Sequence, residues 1–132
     1  SVSNESQLVC IHDGARPFVS QKLIKKSIFV CSKNDGAIVA SPNFDTLKIC
    51  EKGFVKKTID RNNVWMAQTP QVFWKIKLLH AIAISEKKNM EVTDESSMME
   101  SLGYKVFIVP GDQSNFKITS REDWERAVNI IA

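Results

Sequence analysis

Four groups of polar residues in this sequence have the side-chain types that handle phosphate. The first is His12-Asp13-Gly14-Ala15-Arg16-Pro17, directly after the apolar run "QLVCI". Ligands of open α/β sheets bind beyond the carboxyl ends of strands, so a carboxylate and a guanidinium at such an end form a candidate site. Asp13 has the chemistry to hold a divalent cation or a ribose hydroxyl, and Arg16 to grip phosphate through two parallel N–H donors. An Asp turn closed by an arginine salt bridge fits the same spacing equally well. His12 reads as a packing or hydrogen-bonding residue rather than a catalytic one.

The second group lies in "TIDRNNVWMAQTPQVF", residues 58–73, where Arg61 and Thr69 are both donors to phosphate oxygens and Pro70 fixes the backbone beyond Thr69. Read alone, this stretch fits better as a polar loop with Trp65 as its anchor in the core. The third group is Asn115-Phe116-Lys117-Ile118-Thr119, in which Lys117 can neutralise a phosphate as a point charge. One more solvated lysine is the plainer reading. The fourth, "TDESS" from Thr93, is a helix start with favourable acids, and such ends also bind anions when the acids turn away. No nucleophile elbow, HExxH, CxxC or Ser/His/Asp arrangement stands out.

The elements that must position these residues alternate short apolar runs with helical periodicity, the pattern of an α/β domain. "QLVCI" lacks polar alternation, which predicts a strand buried on both faces as in a parallel sheet. Ser20 is the expected N-cap of a helix whose stripe is Leu23, Ile24, Ser27, Ile28 and Cys31. "AIVAS" is the next strand. "DTLKICEKGFVKKTID" predicts two polar, lysine-studded strands joined by a Glu-Lys-Gly turn, too few to be stable unless packed on something else. "VFWKIKLLHAIAISEKK" is expected to be helical, followed by a shorter helix capped by Thr93. Then come the strand "KVFIV", a short strand "FKIT", and a last helix with Thr119 and Glu122 as its capping box.

At 132 residues the chain fits one domain with a core of its own, and 43% apolar with 25% charged residues excludes a disordered composition. Its longest apolar runs fall far short of the roughly 20 residues that span a bilayer. The polar start "SVSNESQ" is no secretory signal, so a soluble compartment is expected. A net charge of +3, with no run of five basic residues, gives no footprint for nucleic acid and suits a small anionic ligand. Cys10, Cys31 and Cys50 are odd in number and widely spaced, and two lie in apolar segments, which predicts buried reduced thiols.

In order and spacing, "IHDGARPFV", "DTLK", "TIDRNNVWMAQTPQVF", "TDESSMMESLG" and "VPGDQSNFKIT" with a final acidic helix resemble the C-terminal part of the 2-C-methyl-D-erythritol 4-phosphate cytidylyltransferase family. The resemblance runs from about residue 8 to the end. It implies the C-terminal portion of a Rossmann-like nucleotidyltransferase sheet with a protruding β-hairpin dimerisation arm at 42–64. The implied reaction is transfer of CMP from CTP to the 4-phosphate of methylerythritol, in the cytoplasm or in a plastid, with Mg2+ or another divalent cation and release of pyrophosphate.

By that resemblance Asp13 holds metal and ribose, Gly14 and Ala15 lie beside the nucleotide, and Arg16 faces the phosphosugar. Arg61 and Lys117 are the implied catalytic residues, with Thr69, Thr46 and Thr93 binding substrate. Arg61 would serve in trans, carried by the arm across a homodimer. Phe44 stands where the family's "PxRDTxK" has an arginine. The family's Gly-rich CTP loop has no counterpart here, so residues 1–132 are expected to form a single incomplete domain that does not turn over alone. The ribitol-5-phosphate cytidylyltransferase family shares the "TPQ" and "KIT" elements, but "DRNNVWMAQTPQ" and "TDESS" favour the first resemblance. A non-catalytic dimerisation fragment is the reading from a different class.

Overall fold

A computed structural model describes residues 2–132. Among these residues six strands and four helices follow in the order β1 (Leu8–Ile11), α1 (Gln21–Cys31), β2 (Gly36–Pro42), β3 (Leu47–Glu51), β4 (Phe54–Ile59), β5 (Trp65–Trp74), α2 (Lys75–Lys87), α3 (Glu95–Ser101), β6 (Val106–Pro110) and α4 (Arg121–Ile131). The α/β expectation holds. Four strands make one sheet in the order β1-β5-β2-β6, and β3 and β4 form a separate two-stranded sheet.

The main sheet is mixed. β2 and β6 run parallel, whereas β5 is antiparallel to both β1 and β2. Its centre is covered on both faces, as the unbroken apolar run of β2 requires. On one face Ala37, Val39, Val72 and Val109 pack on Leu23 and Cys31 of α1. On the other, Ile38 and Phe73 pack on Leu78 and Ala81 of α2 and Met99 of α3. Gly36 opens β2 because nothing larger fits: a Cβ there would stand 2.5 Å from the Phe73 ring.

Several expectations are corrected. β1 is an edge strand with an antiparallel partner and its Cys10 is exposed, because the sheet among the described residues ends beside it. Cys31 alone of the three thiols is buried. Residues 65–74 are neither loop nor helix start but the longest strand, with Pro70, Gln71, Val72 and Phe73 buried and Trp65 and Met66 exposed. The polar side chains that disguised it as a loop are satisfied within the fold. Lys75 then opens α2, one of its end N–H groups donating to the Gln7 carbonyl at 2.8 Å.

The caps of α3 and α4 fall one residue later than expected. Asp94 and Ser97 form the capping box of α3, and Ser120 and Asp123 that of α4. "FKIT" makes no strand; its backbone tie is the Ile118 N–H donating to the Ala15 carbonyl at 2.8 Å. Ser20 caps α1 as expected, its side chain accepting from the Leu23 N–H. The predicted hairpin is present: Lys52 and Gly53 both take positive φ, +51° and +86°, the geometry of a two-residue turn that matches strand twist. All of β3 and β4 except their outer ends is exposed.

Asp35 ties three elements at the edge of β2. It accepts from Lys77 of α2 and, at 2.7 Å, from the Lys105 N–H just before β6. The Lys77 hydrogen bond first, and the Lys105 backbone second, hold its carboxyl below the usual carboxylate value. Such a group stabilises the fold above its unfolded pKa of about 3.9 and loses that effect as pH falls through its lower folded value. Asp35→Asn is therefore expected to cost about 1 kcal/mol near neutrality, and denaturant midpoints should show the difference from the parent chain shrinking below about pH 4.

Candidate functional site

Four segments meet at one end of the sheet around a cleft of about 500 Å³ lined by Asp13, Arg16, Thr69, Thr93, Asp94 and Lys117, with Gln68 and Gln71 beside them. β5 supplies the floor. Thr69 Oγ1 accepts from the Asp13 N–H at 2.9 Å and lies 2.9 Å from His12 Nδ1, so the loop after β1 is fixed to β5. Gln71, only 3% exposed, donates to Asp94 Oδ2 at 3.0 Å and accepts from the Ser96 N–H at 3.2 Å. Those bonds bring the start of α3, and Thr93 with it, to the rim.

Asn115 joins the remaining segment. Its amide, 1% exposed, donates to Gln68 Oε1 at 3.0 Å and to the Thr69 carbonyl at 2.8 Å, while its own carbonyl accepts from Arg16 Nη1 at 2.8 Å. The Asn115 side-chain oxygen has no partner. Phe116 stacks on Phe18 with ring centroids 5.5 Å apart and has Arg126 4.1 Å from its ring centroid, and the Ile118 N–H is tied to the Ala15 carbonyl, so the backbone on either side of Lys117 is held.

The electrostatics centre on Asp13. Its Oδ2 receives Arg16 Nε at 3.3 Å and Lys117 Nζ at 3.2 Å, two cations on one carboxylate oxygen. Partial burial works to raise the Asp13 pKa. The hydrogen bonds and charges of Lys117 and Arg16 outweigh it and hold the carboxyl below its ordinary value. The trio carries one net positive charge, and Arg16 is largely covered while Lys117 is half-open to solvent. Such a site attracts an anion and gives it two donors. Among the described residues no three His, Cys, Asp or Glu cluster as a self-sufficient metal cage.

Of the residues singled out from sequence, the structure brings together Asp13, Arg16, Thr69, Thr93 and Lys117. Gly14 is exposed on the Asp13 loop, and Ala15 contributes its carbonyl to Ile118. Arg61 and Thr46 do not line the cleft. Arg61 is exposed and donates to the Phe44 carbonyl at the base of the hairpin, and Thr46 is exposed just before β3. His12 hydrogen-bonds, as expected, and Met98 lines the cleft while Met99 is core. Sequence reasoning missed Gln68, Gln71, Asp94 and the linking role of Asn115. Two glutamines flanking Thr-Pro were the available signal, since buried amides demand fixed partners.

The whole chain, residues 1–132, matches the model of the family described as 2-C-methyl-D-erythritol 4-phosphate cytidylyltransferase. The protein of that name from Geotalea uraniireducens is 45% identical over 123 residues, covering 92% of this chain and 52% of the relative. The one from Clostridioides difficile is 43% identical over 124 residues, covering 94% and 52%. Among solved structures, the 4-diphosphocytidyl-2C-methyl-D-erythritol synthase of Anaerococcus prevotii superposes with a TM-score of 0.90 at 36% identity, over 99% of this chain and 61% of that one. The chain spans about half the length of the curated relatives it matches.

The shared Asp13 oxygen has a direct consequence. Removing one cation should let the carboxyl rise toward its ordinary value, so Lys117→Ala is expected to move the Asp13 titration midpoint upward in carboxyl-carbon NMR. An unmoved midpoint would mean that the ion pair is not formed in solution.

Proposed function

The chain belongs to the 2-C-methyl-D-erythritol 4-phosphate cytidylyltransferase family, and from that membership we propose that its cleft holds methylerythritol phosphate while CMP is transferred to it from CTP. The observation that carries this reading is the convergence of Arg16 and Lys117 on the single carboxylate of Asp13, beside a floor of hydroxyl and amide groups. A phosphate can take the place that Asp13 now holds between the two cations, and the hydroxyls and amides suit a polyol. Among the described residues no helix is long and apolar enough to cross a membrane.

The proposed reaction is an in-line displacement. A 4-phosphate oxygen of methylerythritol phosphate bonds to the α-phosphorus of CTP, the bond to the bridging oxygen of the β-phosphate breaks, and pyrophosphate leaves with that electron pair. Both reactants are anions, so the protein's contribution is positioning and neutralisation of charge. Lys117 holds the attacking phosphate and Arg16 orients the phosphosugar, with Thr69 and Thr93 along the polyol. Asp13, with Gly14 and Ala15, faces the nucleotide. One carboxylate beside substrate phosphates suits Mg2+, which commonly takes one or two carboxylates, and Asp13 would hold it. When bound, that ion would neutralise phosphate charge.

We also propose that the hairpin completes the site of a second copy of the chain. Phe44, Phe54 and Val55 on and beside it are exposed, and a two-stranded ribbon is marginal by itself. Arg61 and Thr46 at its base would then face the neighbour's methylerythritol phosphate.

Three measurements test these assignments. Calorimetric titration of methylerythritol phosphate into the chain should give binding that Lys117→Ala weakens roughly ten- to a hundredfold, the effect of losing one hydrogen bond between charged groups. Tighter binding of ribitol phosphate would move the substrate assignment to the other family. Pyrophosphate release from CTP and Mg2+ is expected when the chain is supplemented with the part of the Geotalea relative outside the match. In mixed dimers, Arg61→Ala in one subunit should damage the site of the other; damage confined to its own subunit refutes the exchange.

A further inference from the structure

The hydrogen bonds around Thr69 leave only one arrangement of protons when His12 is neutral. His12 Nε2 lies 2.9 Å from the Arg16 carbonyl, and a carbonyl only accepts, so Nε2 carries the ring proton. Nδ1 is then bare and can only accept. Its neighbour at 2.9 Å is Thr69 Oγ1, which must therefore donate its single hydrogen to the ring. One of the two lone pairs on that oxygen already takes the Asp13 N–H at 2.9 Å. What Thr69 has left for the cleft it lines is one lone pair and no hydrogen.

We infer that His12 is a positioning residue that turns Thr69 into an acceptor, so that Thr69 binds a hydroxyl of the substrate and not its phosphate. This replaces the sequence-based expectation of a phosphate donor, because a hydroxyl whose hydrogen is committed elsewhere presents only negative partial charge to a phosphate oxygen. The assignment rests on the reading of the cleft as a polyol phosphate site and divides the labour within it. Arg16 and Lys117 take the anion, since both have N–H groups to give, and Thr69 accepts from a carbon-bound hydroxyl. His12 touches no substrate. It acts through Thr69, and its Nε2–H bond to the Arg16 carbonyl ties the orientation of the ring to the residue that grips the phosphate.

The test combines a structural readout with a comparison of ligands. Long-range ¹H–¹⁵N NMR of the imidazole in the free chain at pH 8 should show His12 with its proton on Nε2; a proton on Nδ1 overturns the inference, whether or not any ligand binds. Thr69→Val removes the acceptor of the Asp13 N–H as well, so it should weaken methylerythritol phosphate about tenfold more than it weakens inorganic phosphate, as an unmade hydrogen bond does, and Thr69→Ser should restore both. Among deoxy analogues of methylerythritol phosphate, one should lose no more affinity on Thr69→Val than inorganic phosphate does. His12→Phe frees the hydroxyl hydrogen, and should narrow the preference for the full polyol over that analogue. Equal weakening of the two ligands by Thr69→Val would remove any contact of Thr69 specific to the polyol and refute the inference. If methylerythritol phosphate does not bind the parent chain, the reading of the cleft fails, and the ring tautomer alone decides the proton assignment.

Discussion

Buried amides and hydroxyls must find partners, because an unpartnered polar group away from water costs about 1–3 kcal/mol. β5 places three polar side chains, the buried Gln71 and the partly buried Gln68 and Thr69, where the sheet ends, and each satisfies itself on a different neighbouring segment. Thr69 draws in the loop after β1, Gln68 the loop after β6, and Gln71 the start of α3. The cleft is the space these three attachments enclose. Its geometry follows from satisfying one strand's polar groups, and the charged residues are carried to the site on backbone that the strand has already fixed.

The charge arrangement depends on that scaffold. Arg16 is held at both ends of its guanidinium, by Asp13 and by the Asn115 carbonyl, so it loses little further freedom when an anion arrives. Lys117 is less covered and has a flexible stem, although the aromatic stack of Phe18 and Phe116 limits the backbone around it. The site thus pairs a rigid planar donor with an adaptable point charge. Asp13 keeps both cations in place while no other anion separates them.

The sequence made the charged residues visible and hid what joins them. Asp13, Arg16, Thr69, Thr93 and Lys117 stood out because their motifs keep a characteristic order, and the structure gathers all five at one cleft. β5 was illegible for a physical reason. Alternation and propensity identify strands through apolar side chains, whereas this strand buries Gln71 and holds Gln68 and Thr69 at partly buried positions by pairing them across 23 to 57 residues of sequence. No local pattern reports a hydrogen bond of that span. The caps of α3 and α4 were missed by one residue because Thr93 and Asp94, like Thr119 and Ser120, are adjacent residues of equal capping chemistry. The edge position of β1 was hidden as well, since its apolar run looks the same whether one neighbour or two lie beside it.

The β3–β4 ribbon has a property that its exposure makes necessary. Two free edges of backbone donors and acceptors are templates for any other extended chain, and uncontrolled pairing of that kind ends in aggregation. The ribbon and its turn carry Lys48, Lys52, Lys56 and Lys57, while Lys52 and Gly53 twist it away from the flatness that stacking requires. Repulsion between like-charged ribbons makes indiscriminate association costly. Only a surface that answers those lysines in both shape and charge can cover them, so selectivity is built into the most exposed element of the molecule.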